Sequence, residues 1–413
     1  MRLSRAQFLR AIAAAPAAML ADTRGLFAQL VEDDVRARAA AAIAAYDAQG
    51  LHRTGTDVDN ASARWLADLA AQAGGAAALE PFPLQRIDVR AALVRANGRI
   101  VEGLPFFDGG FTDAAGVSGR LGPPERLTEI ALVRLDQAGI SSEGRSLADL
   151  RRGTAHRAIV AITEGTAPGL SPSNAALFAR PYGVPVLQVG SEHQGTLGEF
   201  AASGVAVTLI AHVERSTTSA QNVVVSVPGT QPALPPLVII TPRSGWWHCA
   251  SERGGGLACW LEIIRAVAAA RPERPAIFVA SSGHELGHYG LDRFIEARPG
   301  IIRQAAAWMH LGANIGAAGG AARLQAKDDE IEAIVGAALQ AAGAAIRQRV
   351  PRGTVPAGEA RNIHTGGGRY VSVLGSGPRF HNILDRWPDA VSTDTVTRFA
   401  TALGRAAMAL ARA

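Results

Sequence analysis

The sequence predicts an α/β protein: a three-layer α/β/α domain on a mostly parallel sheet, interrupted by an inserted β-rich domain. Three observations predict it. Short apolar, β-branched runs alternate with Ala-rich stretches of helical spacing, the pattern of strands covered on both faces by helices. Between about Glu80 and His212 the texture changes to short β-like runs punctuated by Gly and Pro. The 413 residues, 48% hydrophobic and 19% charged, suffice for one large or two modest globular domains. The boundaries fall at 1–28 for an export-signal-like segment, at 29–80 and 216–413 for the α/β domain, and at 81–215 for the insert.

Residues 34–48 and 61–73 carry apolar residues at helical spacing, and Asn60 can cap the second helix. His52-Arg-Thr-Gly-Thr56 between them reads as a turn. In the insert, 91–95, 129–133, 158–162 and 184–189 read as strands. The α/β texture resumes near Asn222, with strands at 223–227, 237–241, 276–280, 306–310 and 370–374. Helices at 255–270, 285–297, 328–342 and 393–411 fall between or after them. Ligands in such folds sit at the carboxyl ends of strands.

Net charge is +5 and Arg far outnumbers Lys, but the arginines are scattered and no aromatic–basic interleaving occurs, so nucleic acid is not an expected partner. Two cysteines, Cys249 and Cys259, exclude a disulfide framework and leave a single bridge open. A basic stretch over 1–10 followed by apolar 11–20 has the layout of an export signal too short to span a bilayer. Ser4-Arg-Ala-Gln-Phe-Leu-Arg10 resembles a twin-arginine signal with Ala6 at the second arginine position. A periplasmic or exported location is expected, or a cytoplasmic one if the segment is not processed. Stable membrane insertion is not expected, and the oligomeric state stays open.

Residues 284–288 spell H-E-x-x-H. That pattern binds zinc only when a helix already runs at its first histidine, placing both imidazoles on one face. Here an apolar strand (276–280) and the breaker Ser281-Ser-Gly283 precede it. His284 therefore sits at a strand-to-helix junction, with the helix starting near Glu285, and the helical zinc-protease reading loses its support.

Polar residues do collect just past the predicted strands. Arg243, Ser244, Trp246, Trp247, His248 and Glu252 follow the 237–241 strand, and His284 and Glu285 follow 276–280. His310 ends 306–310, and His381 and Asp385 follow 370–374. Strand-end histidines and carboxylates are the material of a metal or acid–base site. Trp246 and Trp247 would form an apolar binding wall, with His248 beside them, or else pack against the insert. Arg243 could hold a substrate carboxylate.

Several of these pieces, in order, resemble the dizinc aminopeptidase family, which includes bacterial leucyl aminopeptidases, aminopeptidase Y and the glutaminyl cyclases. Gly283-His-Glu-Leu-Gly-His-Tyr-Gly290 is similar to its strand-end E-E-x-G-x-x-G, and His52-Arg-Thr-Gly-Thr56 to its N-terminal turn. Gln221-Asn-Val-Val-Val-Ser-Val-Pro-Gly229 resembles its NV…PG strand. Ala250-Ser-Glu-Arg-Gly-Gly-Gly256 with Leu261-Glu262 resembles A-x-D-x-x-S-G…LE, and His381-Asn-Ile-Leu-Asp385 with Val391 the closing H-x-x-x-D…V. The insert is similar to the protease-associated domain of that family. The resemblance implies two zinc ions and a glutamate base, and the chain departs from both. The first-histidine position falls on Pro242 and its aspartate on Ser244. Glu252 stands for the bridging aspartate, His284 for the base, and Gly312 or Ala313 for the strand-end aspartate. Glu285 and His381 are retained.

Three readings follow. Glu252, Glu285 and His381, with His310 as a substitute ligand, could hold one zinc ion with His284 as base, giving a metallopeptidase-like hydrolase of an amide or peptide bond in a small-molecule or peptide substrate. The site could instead be a catalytically dead cleft that only binds. Or Ser244 could act as a metal-independent nucleophile, with His284 as base and Glu252 or Glu285 orienting it.

Overall fold

The computed structural model describes residues 17–136, 140 and 145–412; side chains are described from Glu32 onward, except that of Arg145. The basic start of the export-like segment, 1–16, lies outside the described residues. No described helix is long and apolar enough to cross a membrane.

The α/β domain is built on strands in the order Ile346–Arg349, Ala322–Ala326, Tyr370–Gly375, Ala307–Leu311, Leu237–Pro242, Ala276–Ser281, the C-terminal part of Ala206–Val227, and Ala76–Ala96. The four middle strands are parallel; the 206–227 and 322–326 strands run against them. Side chains alternate between faces, as a pleat demands. Leu237 and Ile239 enter the core under helices Gly255–Ala270 and Thr393–Leu410, while Val238 and Ile240 enter the one under Tyr289–Glu296 and Ala360–Thr365. Both faces are covered, which is the expected three-layer α/β/α arrangement. The strands expected at 223–227, 237–241, 276–280, 306–310 and 370–374 are all present. Two further strands, Ala322–Ala326 and the edge strand Ile346–Arg349, were not expected; the second is polar and mostly exposed and carries no buried-strand signal.

Two long strands, Ala76–Ala96 and Ala206–Val227, pair antiparallel along nearly their whole length. Their far ends carry residues 97–205, where Val117–Gly122, Ile130–Leu135, Ala158–Thr163 and Val186–Gly190 pack around their own apolar clusters. One irregular stretch of this region, 168–178, returns to lie across the strand ends of the α/β domain. Asn382 donates to the Pro168 carbonyl (2.9 Å), Ala175 N–H to the Glu285 carbonyl (2.8 Å), and Trp246 Nε1 to Asn174 Oδ1 (3.1 Å).

Candidate active site at the strand ends

Pro242 is level with Ser281 on the neighbouring strand, and both strands point the same way, so their following loops leave from one rim. After Ser281 the chain makes a turn over residues 284–287 rather than a helix. Gly283 and Gly287 hold it open at φ of +86° and +76°, and a Cβ at Gly287 would stand 2.6 Å from the Ala176 carbonyl oxygen. The helix expected from Glu285 therefore begins only at Tyr289, after His288 at φ 69°. His284 and His288 do not share a helical face; His288 Nδ1 lies 2.7 Å from Asn362 Oδ1.

Glu285 closes a buried network. Thr54 donates its N–H (2.9 Å) and hydroxyl (2.6 Å) to Oε1, and Ser244 donates its hydroxyl to Oε2 at 2.7 Å. Ser244 Oγ in turn accepts the Gly283 N–H at 2.7 Å. The His284 ring is not part of this: only its backbone N–H approaches Ser244 Oγ, at 3.4 Å. No Ser–His pair is assembled. Arg243 lies beside the same network, fully buried, with Nη1 on Asp59 Oδ1 (2.7 Å) and Nη2 on the Gln221 carbonyl (2.8 Å). Asp59 also accepts from Ser282 and Gly55, so Arg243 ties the strand-end loop to the helix Asp57–Gln72 instead of facing a ligand.

The tryptophans divide. Trp246 is buried edge-on against Phe107 of the 81–215 region, at 5.1 Å between centroids. Trp247 is half-buried, donating to the His381 carbonyl at 2.8 Å. His248 Nδ1 lies 2.9 Å from the Asp47 carbonyl oxygen.

A second cluster gathers Glu252, Arg253, His284, His310, Glu359 and His381, none more than 7% exposed. Cys249, at φ 57°, opens a π-helical turn over Ala250–Gly254 whose start is held by Asp385, which accepts the Ser251 (2.8 Å) and Glu252 (2.9 Å) N–H groups. Glu252 Oε1 lies 2.7 Å from Arg253 Nη2 and 3.3 Å from His381 Nε2. The Arg253 contact is close but no N–H points along it, so it is a Coulombic pair rather than a directed hydrogen bond. Burial opposes the Glu252 charge, but Arg253 and His381 outweigh it and bring the carboxyl to about 2. His381 Nδ1, 2.6 Å from the Pro172 carbonyl oxygen, must carry a proton to bond it. His310 Nδ1 sits 2.8 Å from Ser372 Oγ, and its ring fills the space beside Gly312, where a Cβ would meet Cε1 at 2.9 Å. An imidazole thus lies beside Gly312, one of the two positions where the resemblance implied an aspartate. His284 Nδ1 faces Glu359 Oε1 at 3.5 Å. Burial holds His284 well below, and His310 at about 4 against, the ordinary imidazole value. Asp385 is pushed the other way by burial, to about 7.

Thr54, Asp59, Arg253 and Glu359 were not expected from sequence. Thr54 lies within the His52–Thr56 turn and Arg253 beside Glu252, but neither residue type signals a site alone. Glu359 follows no predicted strand; it is brought in because Gly358, at φ +64°, folds the chain over His310.

The chain shares its α/β/α fold with solved aminopeptidase structures. Among solved structures it is similar to a zinc aminopeptidase from Bacillus subtilis (TM-score 0.73, 15% identity, covering 90% of this chain and 93% of that one). It is also similar to a peptidase M28 precursor from Shewanella amazonensis (0.71, 13%, 93% and 97%) and an aminopeptidase from Aneurinibacillus sp. strain AM-1 (0.68, 14%, 91% and 94%). No protein-family model and no curated protein matches the sequence.

A zinc centre does not fit the donors present. Among the described residues no three His, Cys, Asp or Glu side chains are placed to hold a metal ion. Both Glu285 oxygens are already bonded, Glu252 Oε1 faces Arg253, and Pro242 offers no ligand atom. The set Glu252, Glu285, His381 and His310 is therefore not assembled as a coordination shell.

Proposed function

We propose that this chain is a hydrolase cleaving an amide or peptide bond of a small molecule or short peptide, and that the bond reacts at the cluster of Glu252, Arg253, His284, His310, Glu359 and His381. One observation carries the reading. His284 Nδ1, His310 Nε2, His381 Nε2, Glu252 Oε1 and Glu359 Oε2 are all buried without a directed hydrogen bond. Buried polar atoms in native interiors are almost always paired; three of these five face another polar group of the cluster across 2.7–3.5 Å and His310 Nε2 and Glu359 Oε2 do not, so the cluster marks a place where water and substrate complete the pairing.

The chemistry that suits them is acid–base. Glu359 beside Nδ1 favours a proton there and leaves Nε2 of the neutral His284 ring to accept one from an attacking water. The same ring can return the proton to the departing amine. The fold of the similar aminopeptidases supports the bond class, and zinc, the metal of the Bacillus subtilis enzyme, is not given a role here because the donors do not assemble a site for it. The Ser244 alternative has no support, since its hydroxyl is committed to Glu285. We keep the insert at 81–215 as protease-associated-like, supported by its separate apolar clusters, and the 1–28 segment as an export signal.

The test is an assay of the purified chain on aminoacyl amides and short peptides, with His284→Ala beside it. Loss of about 10²–10⁴-fold in kcat/KM is expected for the variant. An inert wild-type chain that still binds members of the panel would replace this reading with a binding protein that kept the cleft.

A further inference from the structure

We infer that the guanidinium of Arg253 is the resident cation of this site, a covalently attached charge that stands among its carboxylates and offers its free N–H groups to the substrate carbonyl oxygen. The inference deepens the functional reading and rests on it for the identity of the oxygen. The cation itself rests on geometry alone.

Arg253 is 1% exposed. Its Nε donates to the Ser244 carbonyl at 2.7 Å, which fixes the plane of the group. Nη2 stands 2.7 Å from Glu252 Oε1, and neither Nη1 nor Nη2 has a directed hydrogen bond. A buried guanidinium with both terminal nitrogens uncommitted is costly unless something else meets them. Its charge acts on Glu252, His284 and His310 of the cluster and on the neighbouring Glu285. A permanent cation in this position removes the need for a metal to balance Glu252, and it repels one. Positive N–H groups aimed at a carbonyl oxygen also favour the charge that develops there when water adds.

Elemental analysis of the full chain, expressed with added zinc and purified without chelator, tests the cation directly. Zinc, manganese, iron and cobalt below about 0.1 ion per chain are expected, with a Tm that dipicolinate does not move. Near-stoichiometric metal whose removal lowers Tm would overturn the inference, whatever the activity. The variants Glu252→Gln, Arg253→Met and the double variant add a second measurement. Each single change strands a buried charge, so each should lower Tm, while the double should lose less than the sum of the two. Strict additivity would overturn the pairing. If amide hydrolysis is present, it should survive chelator and fall with Arg253→Met; an inert enzyme with no metal would sink the functional reading and leave the resident cation standing.

Discussion

His381 Nε2 faces Glu252 Oε1 across 3.3 Å while its other nitrogen is fixed on the carbonyl of Pro172 at 2.6 Å. The two contacts come from different parts of the chain, the π-turn after the 237–242 strand and the 168–178 stretch, so the ring is held from both sides. With Nδ1 protonated toward the carbonyl, the edge facing Glu252 is either a lone pair or a second N–H, and only the second attracts the carboxylate. His381→Asn should keep the bulk and one hydrogen bond but lose that edge. We expect a fall of at least about 10²-fold in kcat/KM with KM little changed. Unchanged kcat would remove His381 from the reacting cluster.

Ser244→Ala separates a structural serine from a nucleophile. The substitution leaves the Gly283 N–H and one Glu285 oxygen without their buried partner. A stability loss of about 1–3 kcal/mol is expected, read by urea unfolding, with hydrolysis retained at permissive temperature. Abolished activity in a protein of unchanged stability would restore the serine mechanism.

The fold was legible because the strands are buried on both faces and read as unbroken apolar runs, such as Val238-Ile-Ile240 and Phe278-Val-Ala280. The site was legible only in part. His284, Glu285, His310 and His381 sit where strands end, a position sequence can find. Which of them meet was hidden, because it depends on turns set by left-handed residues such as Cys249, His288 and Gly358. Glu285 shows the limit: its spacing suits a ligand, yet Thr54, more than two hundred residues earlier, takes its oxygen. Arg243 shows it too, an exposed-looking strand-end arginine that is spent on Asp59.

Acid should destabilise the protein before it reaches carboxylate pH. Burial lowers His52 and His288 to about 3 and His310 to about 4, from 6.5. Between those values the unfolded chain binds more protons than the folded one, so stability falls as pH drops below about 6.5. Asp385, raised by burial to about 7 from 3.8, and Asp59 and Asp292, also raised by burial, work in the opposite direction, since their protonated forms are favoured in the fold, while His284, lowered by burial, joins the other three histidines. Glu252, near 2 in the fold, adds a further loss below 4.5. Tm measured in buffers from pH 8 to about 4 should hold near its maximum down to about 6.5 and decline below it. The acidic limb of kcat/KM should lie below the usual histidine range, because His284 is already neutral. A flat Tm profile would mean these rings are not buried as neutral groups.

The 168–178 stretch bonds His381, Asn382 and the Glu285 carbonyl at one side of the cluster, so a substrate entering there must pass it. Its contact with the turn at Gly287 offers a way to displace it. A side chain there would meet the Ala176 carbonyl oxygen at 2.6 Å, and the φ of +76° adds backbone strain of about 1–2 kcal/mol. Gly287→Ala should therefore push the stretch outward and lower Tm. If the stretch is the cover of the site, limited proteolysis should newly cut between 164 and 180, and KM should change more than the stability loss alone explains. A variant with lowered Tm but an unaltered cleavage pattern would show that the turn yields instead and that this stretch does not control entry.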